Sequence, residues 1–344
     1  MGRSGAAAYG RKRRRVMFYL FIGSTELSKA PGVSAAGVNP EITPYTAPAD
    51  ADLIRFGRSR ISAGLPMDPQ GHPSPALITR AAVLEARFPV TIVQTGSWIT
   101  ASPPYIELGA RPAADPRTGA ALPGAAAIME SAGFFAKNAG TRPFVMLAES
   151  VPGGTTTALL VLRALGYSQM VSSAGPENPV LLKEAIWREA AARIGIRAGD
   201  LAADPLRALT ELGDPMQAAV TAFALALPPE TGVALAGGTQ MLAVAALLKA
   251  FGAQRLPLVA TTKYVYHDRN ADFSALAASI GVETWAAPLD FSRSSHAGLR
   301  EYEDGFIKEG VGAGGAVYYA EREGVPVERI IETTNRLYGK MLAE

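Results

Sequence analysis

The chain alternates short, almost wholly apolar runs with longer runs of helical spacing. Six apolar runs have the length of strands. The first starts at Met17, and the other five cover 88–96, 142–149, 231–238, 255–265 and 282–290. Runs of this kind are typical of parallel strands that are covered on both faces. Helices are predicted between them at 155–165, 179–194, 205–212, 215–227, 239–251 and 273–280. This alternation predicts a doubly wound α/β fold, in which a mostly parallel sheet carries helices on both faces.

The segments outside this core have a different character. Residues 27–80 and 97–124 are rich in proline and turn residues, and long stretches without periodicity inside a compact protein favour functional loops. From residue 291 onward the helical pattern returns. We therefore expect one α/β domain over residues 17–344, with its core at about 81–290. Residues 17–80 and 291–344 are expected to form a smaller lobe.

Charge and composition exclude several functions. The 33 basic and 31 acidic residues give a net charge of +2, and much of the basic excess lies in the run 11–15. The nearly neutral remainder argues against a nucleic-acid-binding surface. The chain has no cysteine, which excludes disulfides and thiolate chemistry, and its three histidines lack the spacing of a metal site. We expect neither a metal nor a cofactor.

The first sixteen residues are small, glycine-rich and basic, and the apolar run after them is at the short limit for a signal peptide. We expect a disordered basic arm over residues 1–16 rather than a signal peptide, and the natural start is either Met1 or Met17. No later stretch has the roughly 18 uncharged apolar residues of a spanning helix. The sequence therefore predicts a cytoplasmic protein that does not bind membranes.

A first candidate for chemistry is "ESVPGGTTTA" at 149–158. A strand that ends at Glu149 leads through Gly153 and Gly154 into a helix that starts with Thr155, Thr156 and Thr157. Glycines allow close backbone approach, and the free N–H groups of a helix start attract anions, so the turn is a candidate phosphate site. Without the lysine of a Walker A loop, an ordinary turn with Thr155 as N-cap explains the pattern equally well.

A second candidate is "KEGVGAGGAVYYA" at 308–320. Its glycines have dinucleotide-fingerprint spacing, but the residues before them are charged and helix-like rather than strand-like, so that interpretation is rejected. Glu309 remains as an acid directly before a glycine-rich turn, like Glu149. On spacing alone, either acid is more simply a surface residue or a helix-terminal charge. If the sheet gathers both turns at the carboxyl ends of its strands, the two acids meet there.

Four segments together resemble a known family. "ESVPGGTTTA", "DPLRALTELGDPMQAAVTAFALAL", "GVALAGGTQMLAVAALL" and "IKEGVGAGGAVYYA" are similar, in order and character, to nicotinate-nucleotide:dimethylbenzimidazole phosphoribosyltransferases, over about 142–319. That family makes the nucleotide loop of cobalamin. The resemblance implies phosphoribosyl transfer from nicotinate mononucleotide to a benzimidazole-like base, with release of nicotinate, by a homodimer. Because the leaving pyridine carries its own cationic nitrogen, the reaction implies no metal.

The resemblance also assigns roles to individual residues. Glu149 matches the acid that lies at the benzimidazole, and Glu309 matches the general base. The turn after Glu149 helps to hold the nucleotide, and glycines of the run after Glu309 bind substrate. A lysine on the helix after the first motif lines the family's site, and Lys183 is its counterpart. The implied substrate-binding residues are Gly153, Gly154, Thr155, Thr156, Thr157, Lys183, Gly310, Gly312 and Gly314.

The chain departs from the family where the substrates should bind. Thr155 replaces an asparagine, Val311 replaces a threonine, and "SSAGPENP" at 172–179 replaces a glycine-rich loop. Two other functions therefore stay open: the same scaffold with another nucleotide or base, and a nucleotide-binding protein without catalysis. Further candidates to cover or line a site are Arg58, Arg60, His72, Trp98, Tyr105 and the loop 293–296.

Overall fold

The computed structural model describes residues 16–34, 41–62, 64, 66–140 and 142–343. The basic run at 11–15 lies outside the described residues. One parallel sheet has seven strands: β1 (Val16–Ile22), β2 (Val90–Gln94), β3 (Tyr105–Glu107), β4 (Phe144–Ser150), β5 (Gly232–Ala236), β6 (Leu258–Thr262) and β7 (Thr284–Ala287). Val16, which the sequence analysis placed in the arm, is buried as the first residue of β1.

The strand order is β3-β2-β1-β4-β5-β6-β7. The chain therefore starts in the middle of the sheet, runs outward to β3, returns to β4 beside β1, and continues outward to the other edge. Residues of β1 and β4 pair in register, so that Phe21 lies opposite Glu149. A reversal of strand order at β1 and β4 opens a crevice beyond their carboxyl ends, where α/β proteins bind ligands.

Thirteen α-helices are described: α1 (Thr46–Phe56), α2 (Ala76–Ala86), α3 (Ala125–Asn138), α4 (Gly154–Leu165), α5 (Val180–Ile194), α6 (Pro205–Leu212), α7 (Pro215–Ala226), α8 (Thr239–Ala250), α9 (Lys263–Tyr266), α10 (Phe273–Ile280), α11 (Ala297–Arg300), α12 (Ala313–Arg322) and α13 (Val327–Ala343). Helices α6 and α7 each begin with an aspartate followed by proline. The carboxylates of Asp204 and Asp214 accept the N–H groups of Arg207 and Gln217, as N-caps do.

Two apolar cores lie on opposite faces of the sheet. Because side chains alternate along a strand, Tyr19 and Phe21 of β1 pack with α3 to α8 and α10. Phe18 and Leu20 point to the other face, where they pack with α1, α2, α12 and α13. The doubly wound α/β fold predicted from the sequence is confirmed. The six predicted helices are all present, with ends that differ by one residue at most.

Four helices and one strand were not predicted: α1, α2, α3, α9 and β3. The short helix α9 begins inside the range 255–265, which was expected to be a strand. Helix α1 lies inside the range that was expected to be a long loop, and it is buried from Ala47 to Ile54. A helix buried on all sides shows no amphipathic period, and this one also contains Pro48, Asp50 and Asp52. The loop interpretation of residues 27–80 is therefore wrong for α1.

The two ends of the chain meet on one face of the sheet, where α1 and α2 pack with α12 and α13. Strand β1, however, lies in the middle of the sheet although its residues fall in the range expected for the smaller lobe. The division into a core and a smaller lobe stays a prediction. Within the described ranges, no helix combines the length and apolar character needed to cross a membrane.

Candidate functional site

A cavity of about 580 Å³ opens at the carboxyl end of β4, beside the reversal of strand order. Its walls come from segments far apart in sequence. The largest contributions are 149–155, 172–177, 238–240 and 306–311. The volume falls within the roughly 300–1,000 Å³ of small-molecule sites. Both glycine-rich turns identified in the sequence contribute to these walls.

Glu149 lies at the end of β4 and is 2% exposed. No described residue hydrogen-bonds to its Oε2 atom, although this oxygen is buried. Burial raises the pKa of Glu149 to about 8, and the nearby charges of Glu309 and Asp214 add to this rise. Near neutral pH the carboxyl group is therefore largely protonated, and an oxygen next to the cavity lacks a partner.

Glu309 precedes α12 and also lines the cavity. Its carboxylate accepts hydrogen bonds from Gly310 N at 3.1 Å, from Gly314 N at 3.3 Å and from Thr261 Oγ1 at 3.3 Å. The residue is only half-buried because it faces the cavity, yet desolvation of the carboxylate raises its pKa to about 7. Hydrogen bonds to the charged form limit this rise.

The loop that carries Glu309 has an unusual backbone. Ile307 and Val311 have φ values of 49° and 57°, a left-handed conformation that β-branched residues rarely adopt. Two contacts hold Val311: its N–H donates to Glu149 O at 2.9 Å, and its carbonyl accepts from Thr79 Oγ1 at 2.9 Å. The loop is thus tied directly to the end of β4, which brings the two acids to one cavity. Strain of this kind is concentrated at functional sites.

The first glycine turn is partly in the cavity wall. Gly153, Gly154 and Thr155 line the cavity, whereas Thr156 and Thr157 are fully buried behind it. Gly153 has a φ of 79°, which favours glycine. A Cβ atom on Gly154 would lie 2.0 Å from Oε1 of Gln240, so this glycine leaves space for the side chain of Gln240.

The second glycine turn is used mainly for packing. Gly310 lines the cavity, but Gly312 and Gly314 do not. A Cβ atom on Gly314 would lie 2.1 Å from the carbonyl carbon of Thr261, and one on Gly312 would lie 2.5 Å from Ala148 Cβ. These two glycines allow α12 to approach the sheet closely. Gly314 nevertheless contributes to the site through the N–H group that it donates to Glu309.

Lys183 is fully buried and does not line the cavity. Its Nζ atom donates to Ser172 O at 2.7 Å and to Asn178 Oδ1 at 2.9 Å, which holds the loop 172–178 in place. Burial and the charge of Lys308 lower the pKa of Lys183 to about 7. Its contribution to the cavity is therefore indirect, through the loop that it supports.

Among the cavity residues that were not candidates from the sequence are Asp50, Gln240 and Lys308. Asp50 is buried in α1, where it accepts hydrogen bonds from Ser74 Oγ at 2.5 Å and Ser150 Oγ at 2.9 Å. Burial raises its pKa to about 7. Lys308 could have been identified from the sequence because it directly precedes Glu309. Nothing in the sequence indicated Asp50, because the helix that carries it was not predicted.

The remaining candidates lie outside the cavity wall. His72 is buried between two carboxylates, with Nδ1 2.6 Å from Asp68 Oδ2 and Nε2 2.5 Å from Glu301 Oε2, so it links distant segments. Trp98 contacts Lys29, and Tyr105 lies in the edge strand β3. Arg58, Arg60 and the loop 293–296 are likewise absent from the wall. Across the described parts of the chain, no group of acidic or histidine side chains is arranged to hold a metal ion.

Comparisons with known proteins found close relatives and more distant structures. The chain is 44% identical over 329 residues to a UPF0284 protein of Thermococcus onnurineus, covering 95% of this chain and 98% of that protein. It is 39% identical over 333 residues to a UPF0284 protein of Sulfurisphaera tokodaii, covering 95% and 94%. No family model matches the chain.

Two solved structures from Thermus thermophilus share the fold. The structure of CobT aligns with a TM-score of 0.61 at 17% identity, covering 92% of this chain and 84% of that one. A structure of nicotinate-nucleotide-dimethylbenzimidazole phosphoribosyltransferase aligns with a TM-score of 0.59 at 15% identity, covering 94% and 83%. The resemblance found in the sequence is thus confirmed for the fold.

Proposed function

This chain belongs to the UPF0284 family, and we propose that it transfers the phosphoribosyl group of nicotinate mononucleotide to a benzimidazole-like base in cobalamin nucleotide-loop assembly. Nicotinate is the second product. The observation that carries the proposal is the pair Glu149 and Glu309, whose carboxyl groups border one cavity at the reversal of strand order. The fold shared with the Thermus thermophilus phosphoribosyltransferase supports it. Fold alone does not determine function, so the proposal rests on the residues of the site.

The reaction needs one proton acceptor. A ring nitrogen of the base attacks C1 of the ribose with its lone pair while the bond from C1 to the pyridinium nitrogen breaks. Nicotinate leaves with that electron pair and becomes neutral at its nitrogen. The attacking base then carries a positive charge, which it loses by releasing its ring N–H proton to a carboxylate.

We assign the proton transfer to Glu309. With a pKa of about 7, it is substantially ionised at neutral pH, and a base poised near the working pH is the most effective. Glu149, with a pKa of about 8, is largely protonated and can donate a hydrogen bond to the heterocycle. Because the two groups interact, the pair titrates as a unit rather than as two separate acids. The turn at the start of α4 lines the same cavity and can contact the nucleotide.

Turnover of glutamine variants tests this assignment. Glu309→Gln keeps the shape of the side chain and an oxygen for the N–H groups of Gly310 and Gly314, so substrates should still bind. Loss of the proton acceptor should lower kcat roughly 100-fold or more. Glu149→Gln should have a smaller effect, and Glu130→Gln, on the exposed face of α3, is the matched control. Nicotinate release from nicotinate mononucleotide and a benzimidazole is followed by chromatography.

The outcomes separate the alternatives. A larger fall in Glu149→Gln would exchange the two roles. Parental turnover in both glutamine variants would rule out the mechanism. If the parent protein binds nucleotide but releases no nicotinate with any base, it is a nucleotide-binding protein and the proposed reaction is wrong. Turnover only with another nucleotide or base would keep the reaction class and change the substrates.

A further inference from the structure

The charges in the cavity wall are unequally distributed. Among the described residues that line it, five carry carboxyl groups and Lys308 alone carries a cationic side chain; the acids are Asp50, Asp68, Glu149, Glu177 and Glu309. A substrate phosphate bears about two negative charges, and none of these carboxyl groups supplies the positive charge that attracts them. The position of the one ammonium group therefore limits where such a phosphate can lie.

Lys308 has donors that its protein partner does not use. It is 3% exposed, and its Nζ atom lies 2.7 Å from Oδ2 of the buried Asp268. An ammonium group has three N–H donors, and the hydrogen bonds among the described residues occupy one of them. Ser172 Oγ donates to the same Asp268 oxygen at 2.7 Å, which fixes the carboxylate behind the cavity wall. Lys308 is thus held in place with donors left for a ligand.

A second lysine, Lys183, is buried near Lys308. Burial, and after it the positive charge of Lys308, lowers the pKa of Lys183 to about 7, so that Lys183 is only partly charged at neutral pH. The direct partners of Lys183 are a carbonyl and an amide oxygen, which are neutral. Two buried lysines therefore share one buried carboxylate, Asp268. An anion beside Lys308 would favour the protonated form of both lysines.

We propose that Lys308 binds the phosphate group of the nucleotide and so places the phosphate beside the loop 172–177. This inference rests on the proposed function for the identity of the nucleotide. It differs from the sequence analysis, which placed the phosphate at the glycine turn before α4. The first turn of α4 lies beside two buried acids, since Thr157 donates to Asp214 at 2.5 Å and Glu149 is the last residue but one of β4. The phosphate dianion is therefore better placed beside Lys308, and the heterocycle beside Glu149 and Glu309.

The test compares ligands with and without a phosphate. Calorimetry measures the Kd of nicotinate mononucleotide, nicotinate riboside and nicotinamide mononucleotide for the parent and for Lys308→Met. Loss of a charged hydrogen-bond donor should weaken both mononucleotides about 10- to 100-fold and leave the riboside within about twofold. The control is Lys263→Met, which removes a lysine paired with Glu303 outside the cavity wall and should leave all three affinities unchanged.

Further variants keep the test decisive. If Lys308→Met does not fold because Asp268 loses its partner, the double variant Lys308→Met, Asp268→Asn removes both charges and is measured instead. Asp268→Asn alone should retain the preference for the phosphorylated ligand. Equal losses for mononucleotide and riboside, or no loss at all, would overturn the inference. A loss that persists with the riboside and disappears with nicotinamide mononucleotide would assign Lys308 to the carboxylate instead.

Ribose 5-phosphate and ribose distinguish this inference from the proposed function. If the parent releases no nicotinate but binds ribose 5-phosphate more tightly than ribose, and only when Lys308 is present, the reaction is wrong and the phosphate site stands. If the parent turns over and Lys308→Met retains its affinity for both phosphorylated probes, the phosphate site is wrong and the reaction stands.

Discussion

Replacing Glu149 by glutamine should change how the stability of the protein depends on pH. The carboxyl group is 2% exposed, and burial is the main cause of its raised pKa. Glutamine has nearly the same shape but no proton to lose. The substitution therefore removes an ionisation that the folded protein resists, while the packing around β4 is kept. This prediction concerns folding and does not depend on the proposed reaction.

The sign follows from where the proton is bound. Between pH 4.5 and about 8, the folded chain keeps the Glu149 proton and the unfolded chain has lost it. The contribution of Glu149 to the free energy of unfolding therefore falls as pH rises through this window, by up to about 1.4 kcal/mol per pH unit. A pKa that rises from 4.5 to about 8 corresponds to about 5 kcal/mol in all. This is an upper limit, because water in the cavity can solvate the carboxylate.

Urea denaturation followed by circular dichroism measures the effect. The parent and Glu149→Gln are unfolded at pH 5, 6, 7, 8 and 9 at constant ionic strength. We expect the variant to gain a few kcal/mol relative to the parent between pH 5 and pH 9. Asp50, Asp214 and Glu309 titrate in both proteins, and only the part of their contribution that does not depend on Glu149 cancels; the repulsion between Glu149 and these acids is part of the difference. Glu130→Gln removes a carboxylate that is exposed in α3, and its difference from the parent should not change with pH.

A flat difference would refute the reasoning. If the free energies of parent and Glu149→Gln differ by the same amount at pH 5 and pH 9, to within about 0.5 kcal/mol, then Glu149 is not buried as described. A variant that becomes less stable relative to the parent as pH rises would contradict the sign. In that case the ionised carboxylate would have a favourable partner in the folded protein, and the assignment of Glu149 as a protonated donor would fail.

Two further predictions concern the stability of the fold. Gly314→Ala places a methyl group against the backbone of β6 and should lower the free energy of unfolding, measured by urea denaturation, by more than about 4 kcal/mol. The control Gly133→Ala in α3, where the nearest contact is at 3.8 Å, should raise it by about 0.5–1 kcal/mol, and equal effects of the two variants would mean that α12 does not approach the sheet closely. His72→Leu leaves two carboxylates without their shared partner and should lower the free energy of unfolding by about 3 kcal/mol, while the exposed His267→Leu should change it by less than about 0.5 kcal/mol. A loss below 1 kcal/mol for His72→Leu would mean that this link contributes little.

Six of the seven strands could be predicted because burial of the sheet on both faces leaves continuous apolar runs, and six helices could be predicted between them. Glu149 and Glu309 could be found for a local reason, since each acid directly adjoins a glycine-rich turn. Their meeting at one cavity follows from the general rule that parallel strands gather such turns at their carboxyl ends. These parts of the structure depend on interactions within a few residues or on a repeating pattern.

The parts that escaped prediction depend on partners distant in sequence. Asp50 lies in a helix buried on all sides, and one of its hydrogen-bond partners, Ser150, is 100 residues away. Lys308 is held at the cavity by its hydrogen bond to Asp268, which is 40 residues away in sequence. The glycines of the second motif suggested a ligand loop, whereas Gly314 serves the approach of α12 to β6. Glycine frees space, and the sequence does not tell whether a ligand or another part of the protein fills that space.

The acids of this site are unfavourable for folding, and this is an argument for function. Burial raises the pKa of Asp50, Glu149, Asp214 and Glu309 above their ordinary values, so each opposes folding as pH rises. Neutral residues of the same shape would remove this cost, since buried charges are often replaceable without loss of stability. Three of the four also border a single cavity, and the loop beside them holds Val311 in a strained conformation. Groups that weaken the fold at one place are best explained by chemistry that needs protons accepted and donated there.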